Sequence, residues 1–525
     1  MRTSLCRGQR LSPRSASLSA ATTPRAMILA MVVAMALSGC GGDDTKPLSL
    51  DAGATQDVSD ANVGDAGVDA AQVDAAPVDA AAEFPLHSCA AFAKPCVELR
   101  AGDVEGLQEA TQLLEKDTTL VLGAGAWHLD NQVTLRKATG ITLIGQGIDK
   151  TILNFKAQKI QSNGVDVIGD NFRIESLTIE DAKKDALRIE DSKGVTIRKV
   201  KVTWTNGPAK ENGAYGLYPV KCQDVLIEDS VALNASDAGL YVGQTRNVIV
   251  RNNVARGNVA GIEIENTQFA DVYGNLAEDN TVGLAVFDLP GNPIIGRDIY
   301  VHDNIVKNNN RANFAPGGTV SEVPAGTGTF IMASRRVEFA KNTYENNGTV
   351  DIAVVSGLAI QNKASKWRLA KDKVVGDSAG LDLPNDATGI SNYRTSDVYL
   401  HDNTHKGSGT NPDGNDPWKR PLGFLLLIVY DGATIENVLY DAWGESSFHA
   451  TDAGKNSNDN RLCLDNEAGA TFVSINLPVT LPAAEEGKFA KLTDFFRPKA
   501  PFAPFTCKTM KGGPLAPVVL PQLKK

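Results

Sequence analysis

Glu263 and Glu265 stand two residues apart in Gly261-Ile-Glu-Ile-Glu265, where apolar and polar residues alternate as in a strand with one buried face. On such a strand both carboxylates share the outward face, ~6.5–7 Å apart. A carboxylate pair at that range can carry acid/base hydrolysis. Tyr241 holds the matching position in Gly239-Leu-Tyr-Val242, and a tyrosine beside a glutamate can move protons in a lyase or an epimerase. Glu263, Glu265 and Tyr241 are therefore the candidate catalytic residues. With Arg188, Tyr218 and Phe287, at equivalent positions of related strings, they form a candidate binding floor. Its rings offer flat apolar surface to sugar faces and its carboxylates accept hydroxyl hydrogen bonds. The same residues also read as a solvated strand face, with Arg188 paired to Glu190 and the aromatics stacked for stability. The residues alone leave both readings open.

What must position these side chains is a repeat. Ala186-Leu-Arg-Ile189, Gly216-Leu-Tyr-Pro219, Gly239-Leu-Tyr-Val242, Gly261-Ile-Glu-Ile264, Gly283-Leu-Ala-Val286 and Gly328-Thr-Phe-Ile331 are versions of one string. A second string, such as Val225-Leu-Ile227 and Val248-Ile-Val250, lies between them, and a third slot follows it at Val200, Ser230, Asn253, Asn275, Asn304, Asn342 and Asn403. The step from first to third slot is 14 residues and the return 8 or 9, a period of 22–23. Strands this short at this spacing suit successive sides of a coil, each stacked ~4.8 Å above its predecessor. Asparagine at one slot of stacked coils builds an amide ladder, and asparagine also tolerates the left-handed turn conformation. Neither the dense leucines of a leucine-rich repeat nor the calcium-binding glycine–aspartate nonapeptide is present.

Insertions into a repeat become loops on fixed corners. Segments 204–213, 308–327 and 404–421 fall on one corner, and 288–297 and 357–395 on the next. The strand between those corners is the one carrying Tyr241 and Glu263, so the expectation is a trough with a wall on each side. His302-Asp-Asn304 and His401-Asp-Asn403 share a slot, but a coil separates them, placing the imidazoles ~9.6 Å apart. That is too far for one metal ion, so they are expected as turn residues capped by Asp303 and Asp402. No metal site is predicted, and no cofactor. Calcium is left open, without a motif.

With these strings in hand, residues ~100–440, about two thirds of the chain, resemble a right-handed parallel β-helix of the pectin-lyase-like superfamily, of the repeat type found in carbohydrate-binding proteins and sugar hydrolases. The expected fold class is all-β: a solenoid with a short N-terminal capping helix and an irregular Pro-rich C-terminal cap. Val104, Leu107, Thr111 and Leu114 lie on one helical face and supply the first cap. The resemblance implies a polysaccharide partner. It carries over no active site, because the acidic motifs of polygalacturonases, the calcium and arginine pattern of pectate lyases and the Asp-Pro-His string of alginate epimerases are missing. Whether the chain is an enzyme stays undecided at this level. The alternative is a non-catalytic surface scaffold or adhesion module for a protein partner.

The ends of the chain speak of location. Five arginines and no acid before residue 26, an apolar run from Ala26 to Leu37, and then Ser38-Gly39-Cys40 make a secretory signal. Leu37–Cys40 resembles a bacterial lipobox, which implies lipidation of Cys40, and Gly41 then favours an outer-membrane, cell-envelope location. The expected organisation is a lipoprotein signal over 1–39, a disordered acidic Ala/Asp/Val tether over 40–83, an N-terminal cap over 84–130, the β-helix over 131–440 and a C-terminal capping segment over 441–525. The tether holds ten acids and one lysine between Asp43 and Glu83, too little apolar surface to offset chain entropy. The net charge of −10 argues against nucleic acid as a partner, and much of it belongs to that tether. In an oxidising compartment Cys89 with Cys96 and Cys463 with Cys507 are the expected disulfides, though other pairings stay open. Cys222 is then a free buried thiol, and a monomer is expected.

Overall fold

The computed structural model describes residues 87–477 and 502–521, apart from 137–138, 379–382, 384, 417–418, 448, 450–451, 468 and, at Pro421 and Ala453, the side chains. The signal, the tether and Cys40 lie outside the described residues. Eleven strands, from Val133–Arg136 to Phe472–Ser474, form one parallel sheet in which neighbours follow chain order coil by coil. A second set of twenty strands makes the remaining sides, beginning at Cys96–Leu99. Coil strands thus extend outside 131–440 at both ends. This is a parallel β-helix.

Each coil buries alternate residues. Leu217, Leu240, Ile262 and Leu284 occupy successive coils in register and point into the core. The steps match the 22–23-residue period. At the third slot the amides form a continuous ladder: the Nδ2 of Asn253 donates to Asn275 Oδ1 at 3.0 Å, Asn275 to Asn304 at 2.9 Å, Asn304 to Asn342 at 2.9 Å and Asn342 to Asn403 at 2.9 Å. These five residues are at most 2% exposed. The left-handed residue is the one before each ladder position, Asn252 (φ 56°), Gly274 (64°), Asp303 (53°), Lys341 (55°) and Asp402 (56°). That corrects the expectation that the ladder asparagine itself takes this conformation: its predecessor turns the chain and aims the next side chain inward. A second ladder runs through Asn258, Asn280, Asn309 and Asn347, with amide bonds of 3.0–3.1 Å.

Helix α1 (Val104–Gln112) closes the first coil. Asp103 caps it by accepting from the Gly106 N–H at 2.9 Å, and Leu107 is sunk into the core at 1% exposure. At the other end Phe505 packs on Phe472 and Tyr440. The following residues run back along the outside: Tyr399 donates to the Lys508 carbonyl at 3.0 Å, and the Leu515 N–H donates to Glu338 at 2.6 Å. Disulfides join Cys89 to Cys96 and Cys463 to Cys507, and Cys222 is free and buried. Among the described residues no helix is long and apolar enough to cross a membrane.

Candidate functional site

The outward face of the eleven-stranded sheet carries one column through successive coils: Asp166, Arg188, Tyr218, then Tyr241, Glu263, Ala285, Phe330 and Ala353. A parallel column holds Glu190, Val220, Gly243, Glu265, Phe287, Met332 and Val355. The floor is therefore continuous, but its two halves have different fates. Over the later coils the insertion loops meet across it. Phe287 is 2% exposed and Phe330 4%, sharing an apolar cluster with Leu358, Trp367 and Leu426 of helix α2 (Pro421–Tyr430). The buried Arg335 locks the cover, donating to Asp288 at 3.0 Å and to the carbonyls of Asn392 and Arg394 at 3.0 and 3.1 Å. Phe287 is thus a packing residue beneath this cover and offers no face to a polymer. A trough walled along its whole length is replaced by a floor open at Arg188 and Tyr218 and roofed beyond Tyr241.

At the edge of the roof three tyrosines converge. Tyr215 lies 4.6 Å from Tyr218 and 4.7 Å from Tyr241, centroid to centroid, and Tyr218 meets Tyr241 edge-on at 4.8 Å. Tyr215 and Tyr218 are half-buried, whereas Tyr241 is 4% exposed. Gly243 makes room here: a β-carbon on it would lie 2.2 Å from the Tyr241 hydroxyl. Glu265 is the partner of Gly243 in the next coil, so the bare glycine lets the phenol reach across to that carboxyl.

Of the carboxylates around these rings Asp185, Glu263 and Glu265 are buried and Asp237 is half-buried, and none has an ion pair among the described residues. Burial, with repulsion from Asp288, pushes Glu265 up to about 7 against hydrogen bonds from Tyr241 and Asn292; the Asn292 amide lies 2.8 Å away. Burial likewise lifts Asp237 to about 7, with a hydrogen bond from Tyr215 opposing it. Glu263, 1% exposed, is pushed well above the usual carboxylate range by burial and by Asp237 and Glu265, and its Oε1 has no hydrogen-bond partner. Asp185 is raised by burial to about 6. Tyr218 is driven up to about 12 and Tyr241 further, both mainly by burial. The phenols therefore stay protonated. The carboxyls of Glu265 and Asp237, poised near neutrality, are the groups suited to taking and giving a proton.

Arg188 has a different part. It donates to Glu190 and, at 3.4 Å, to Asp166, while Lys221 reaches Glu190 at 3.0 Å and Arg136 reaches Asp166 at 3.0 Å. The Arg188–Glu190 pair, within one strand, is the one that the sequence also allowed; the pairs to Asp166 and from Lys221 run between coils, and all lie at the open end of the floor. Tyr215, Asp237, Asp185 and Asn292 were not singled out from the sequence. The first three carried a signal: each stands one or two residues before a first-slot position, at the corner where the chain enters the floor strand.

The histidines are not near this site. His302 ends the Arg297–His302 strand, held between Asp303 (2.6 Å) and Asp271 (2.9 Å) and stacked on Tyr300. His401 is held between Asp402 (2.8 Å) and Glu338 (3.1 Å). They are strand-end residues with two carboxylate partners each, where the sequence suggested turn residues with one. Among the described residues no group of three or more His, Cys, Asp or Glu is placed to hold a metal ion.

Residues 139–299 match the family model of the right-handed β-helix region. The solenoid is right-handed. No curated protein matches the chain significantly. Among solved structures it is similar to the A-module of the mannuronan C-5 epimerase AlgE4 of Azotobacter vinelandii, at 17% identity over 60% of this chain and 87% of that one, with a TM-score of 0.37. It is similar also to an alginate lyase from Paenibacillus sp. str. FPU-7 (14% identity, 59% and 95% covered, TM-score 0.39). A polygalacturonase from Erwinia carotovora ssp. carotovora stands at 10% identity, with 59% and 92% covered and a TM-score of 0.39. Likeness at this level concerns the coil and not the residues on it.

Proposed function

We propose that the protein binds a polysaccharide along the open part of the floor, from Arg188 to Tyr218, and carries out proton transfer on it at the edge of the roof. Tyr215 and Tyr218 supply the rings on which sugar faces rest. Glu265, held near neutrality beside the Tyr241 phenol, takes or gives the proton, and Asp237 with Tyr215 forms a second such pair. The observation that carries the reading is the meeting of two near-neutral carboxyls, each beside a tyrosine, where the floor passes from open to roofed. Lipidation at Cys40 and the acidic tether would hold this domain at the cell envelope, on the outer membrane.

The test is a panel of neutral, anionic and cationic polysaccharides offered to the full-length protein, read for binding, for new reducing ends and for unsaturated uronates. Binding with product formation that Glu265→Gln or Tyr241→Phe lowers by about 100-fold or more supports the reading. Binding without any product, unchanged in both variants, would leave a non-catalytic glycan module. A wholly negative panel overturns the proposal.

A further inference from the structure

The charges on the floor do not balance. Asp166 is met by Arg136 and Arg188, Glu190 by Arg188 and Lys221, and Asp288 beneath the roof by Arg335. Asp185, Asp237, Glu263 and Glu265, which surround the three tyrosines, have no ion pair among the described residues. Asp441, another buried acid without a cation, shows how such a group is normally settled: the N–H groups of Ser356 and Trp443 both donate to it. Asp185 and Glu263 are settled less fully. Among the described residues, Asp185 Oδ1 and Glu263 Oε1 are the only carboxylate oxygens that are buried with no hydrogen-bond partner, on side chains 2% and 1% exposed.

These two oxygens bracket the tyrosines. Asp185 enters the Leu187–Glu190 strand, and Glu263 lies three coils further on, about 14 Å away at ~4.8 Å per coil. Between them stand Tyr218 and Tyr241, with Tyr215 packed on both. Leaving a buried carboxylate oxygen unpaired is costly, and aromatic rings attract cations through their faces. A ligand suited to this surface brings several N–H donors with positive charge, spaced along an extended chain.

We propose, building on the polysaccharide reading above, that the polymer carries free amino groups: it is a glycan of amino sugars whose ammonium groups approach Asp185 and Asp237 at the open side of the tyrosines, with Glu263 and Glu265 adding negative charge from under the edge of the roof. The raised affinity of these acids for protons fits a site waiting for cations, since a bound ammonium would release those protons. A polyuronate meets like charge at these four acids, and an N-acetylated polymer brings a donor without the charge.

The experiment compares oligomers of glucosamine with N-acetylglucosamine oligomers of equal length, below the pKa of the free amine, alongside a neutral glucan oligomer and oligolysine. The full-length protein should bind the glucosamine oligomer about ten-fold or more tighter than its acetylated twin, with the preference shrinking as salt rises. Glu263→Gln and Asp185→Asn should erase the preference while retaining the acetylated oligomer. The ligand pair decides the matter even if a variant fails to fold. Equal or weaker binding of the glucosamine oligomer, with the acetylated or neutral oligomer bound, overturns this inference and leaves the polysaccharide reading standing. No glycan bound, either here or in the polysaccharide panel above, overturns both. Oligolysine bound as tightly as glucosamine oligomers would assign the surface to a basic peptide and overturn the inference.

Discussion

Two groups of buried acids lie on this solenoid, and they are wired in opposite ways. At its C-terminal end Asp351, His405 and Glu467 are each at most 1% exposed at the side chain. His405 meets Asp351 through Nδ1 at 2.9 Å and Glu467 through Nε2 at 2.8 Å, with its ring stacked on Tyr344. Both amide ladders end here: Asn403 donates to Glu467 at 2.7 Å and Asn347 to Asp351 at 3.0 Å. One imidazolium thus ties together the last acceptors of two ladders and is shared by both carboxylates. The Asp237–Glu263–Glu265 group, on the outward face, is less uniformly buried, with Glu263 sunk and Asp237 only half-buried, and has no ion pair among the described residues. Two acids matched by a cation serve as a staple. Unmatched acids cost the fold stability, and that cost is explained only if the group does something else.

The largest effect that would test this contrast is His405→Leu. Removing the shared cation leaves two carboxylates buried and unpaired, and such losses run to about 3–5 kcal/mol. Denaturant unfolding should show a loss of that order, while polysaccharide binding by the folded fraction is unchanged. A loss below about 1 kcal/mol would mean that the staple bears little weight. Burial pulls His405 down, but its hydrogen bonds to Asp351 and Glu467 outweigh that and raise it from 6.5 to about 9. Its contribution is therefore complete below pH 6.5 and is lost as pH rises through about 9.

Glu265→Gln should move stability the other way. Burial raises Glu265 from 4.5 to about 7, so between those values the folded chain holds a proton that the unfolded chain has released. Wild-type stability then falls as pH rises from 4.5 to about 7 and the penalty stays constant above that. The glutamine variant escapes it, and above neutrality it should be more stable by about 2–3 kcal/mol, with no gap at acid pH. Thermal unfolding across that range checks the sign. A variant less stable than wild type at every pH would place Glu265 among the structural acids.

The coil was legible because its signals are local and repeated: alternating strands, a period of 22–23 and an asparagine at a fixed slot. The second ladder followed the same rule, five residues after the first at Asn258, Asn280, Asn309 and Asn347, and was readable in principle. The column of Tyr218, Tyr241 and Glu263 could be named because stacking makes register a matter of counting. What could not be counted was where long loops fold. Nothing in the period says that Trp367 crosses over Gly357 to roof Phe287, a contact so close that a β-carbon on Gly357 would lie 2.3 Å from the indole. Nor does it say that Tyr215 and Asp237, at the corners, lean over the floor, because corner residues lie outside the two-residue alternation.

The smallest expected effects divide the two groups most cleanly, because each contains a tyrosine that can lose its hydroxyl alone. Tyr344 is fully buried beneath His405, and its hydroxyl lies 3.0 Å from that of Thr329. Tyr344→Phe strands the buried Thr329 hydroxyl and should cost about 1–2 kcal/mol of stability with polysaccharide affinity untouched. Tyr218 is half-buried, and its ring keeps the contacts with Tyr215 and Tyr241 when the hydroxyl goes. Tyr218→Phe should leave stability within about 0.5 kcal/mol of wild type and weaken polysaccharide binding by about two- to ten-fold, the worth of one hydrogen bond. Each tyrosine should therefore change one readout and spare the other. If Tyr218→Phe lowers stability and leaves binding unaltered, the aromatic column is packing throughout, and the unmatched acids beside it need another explanation than a ligand.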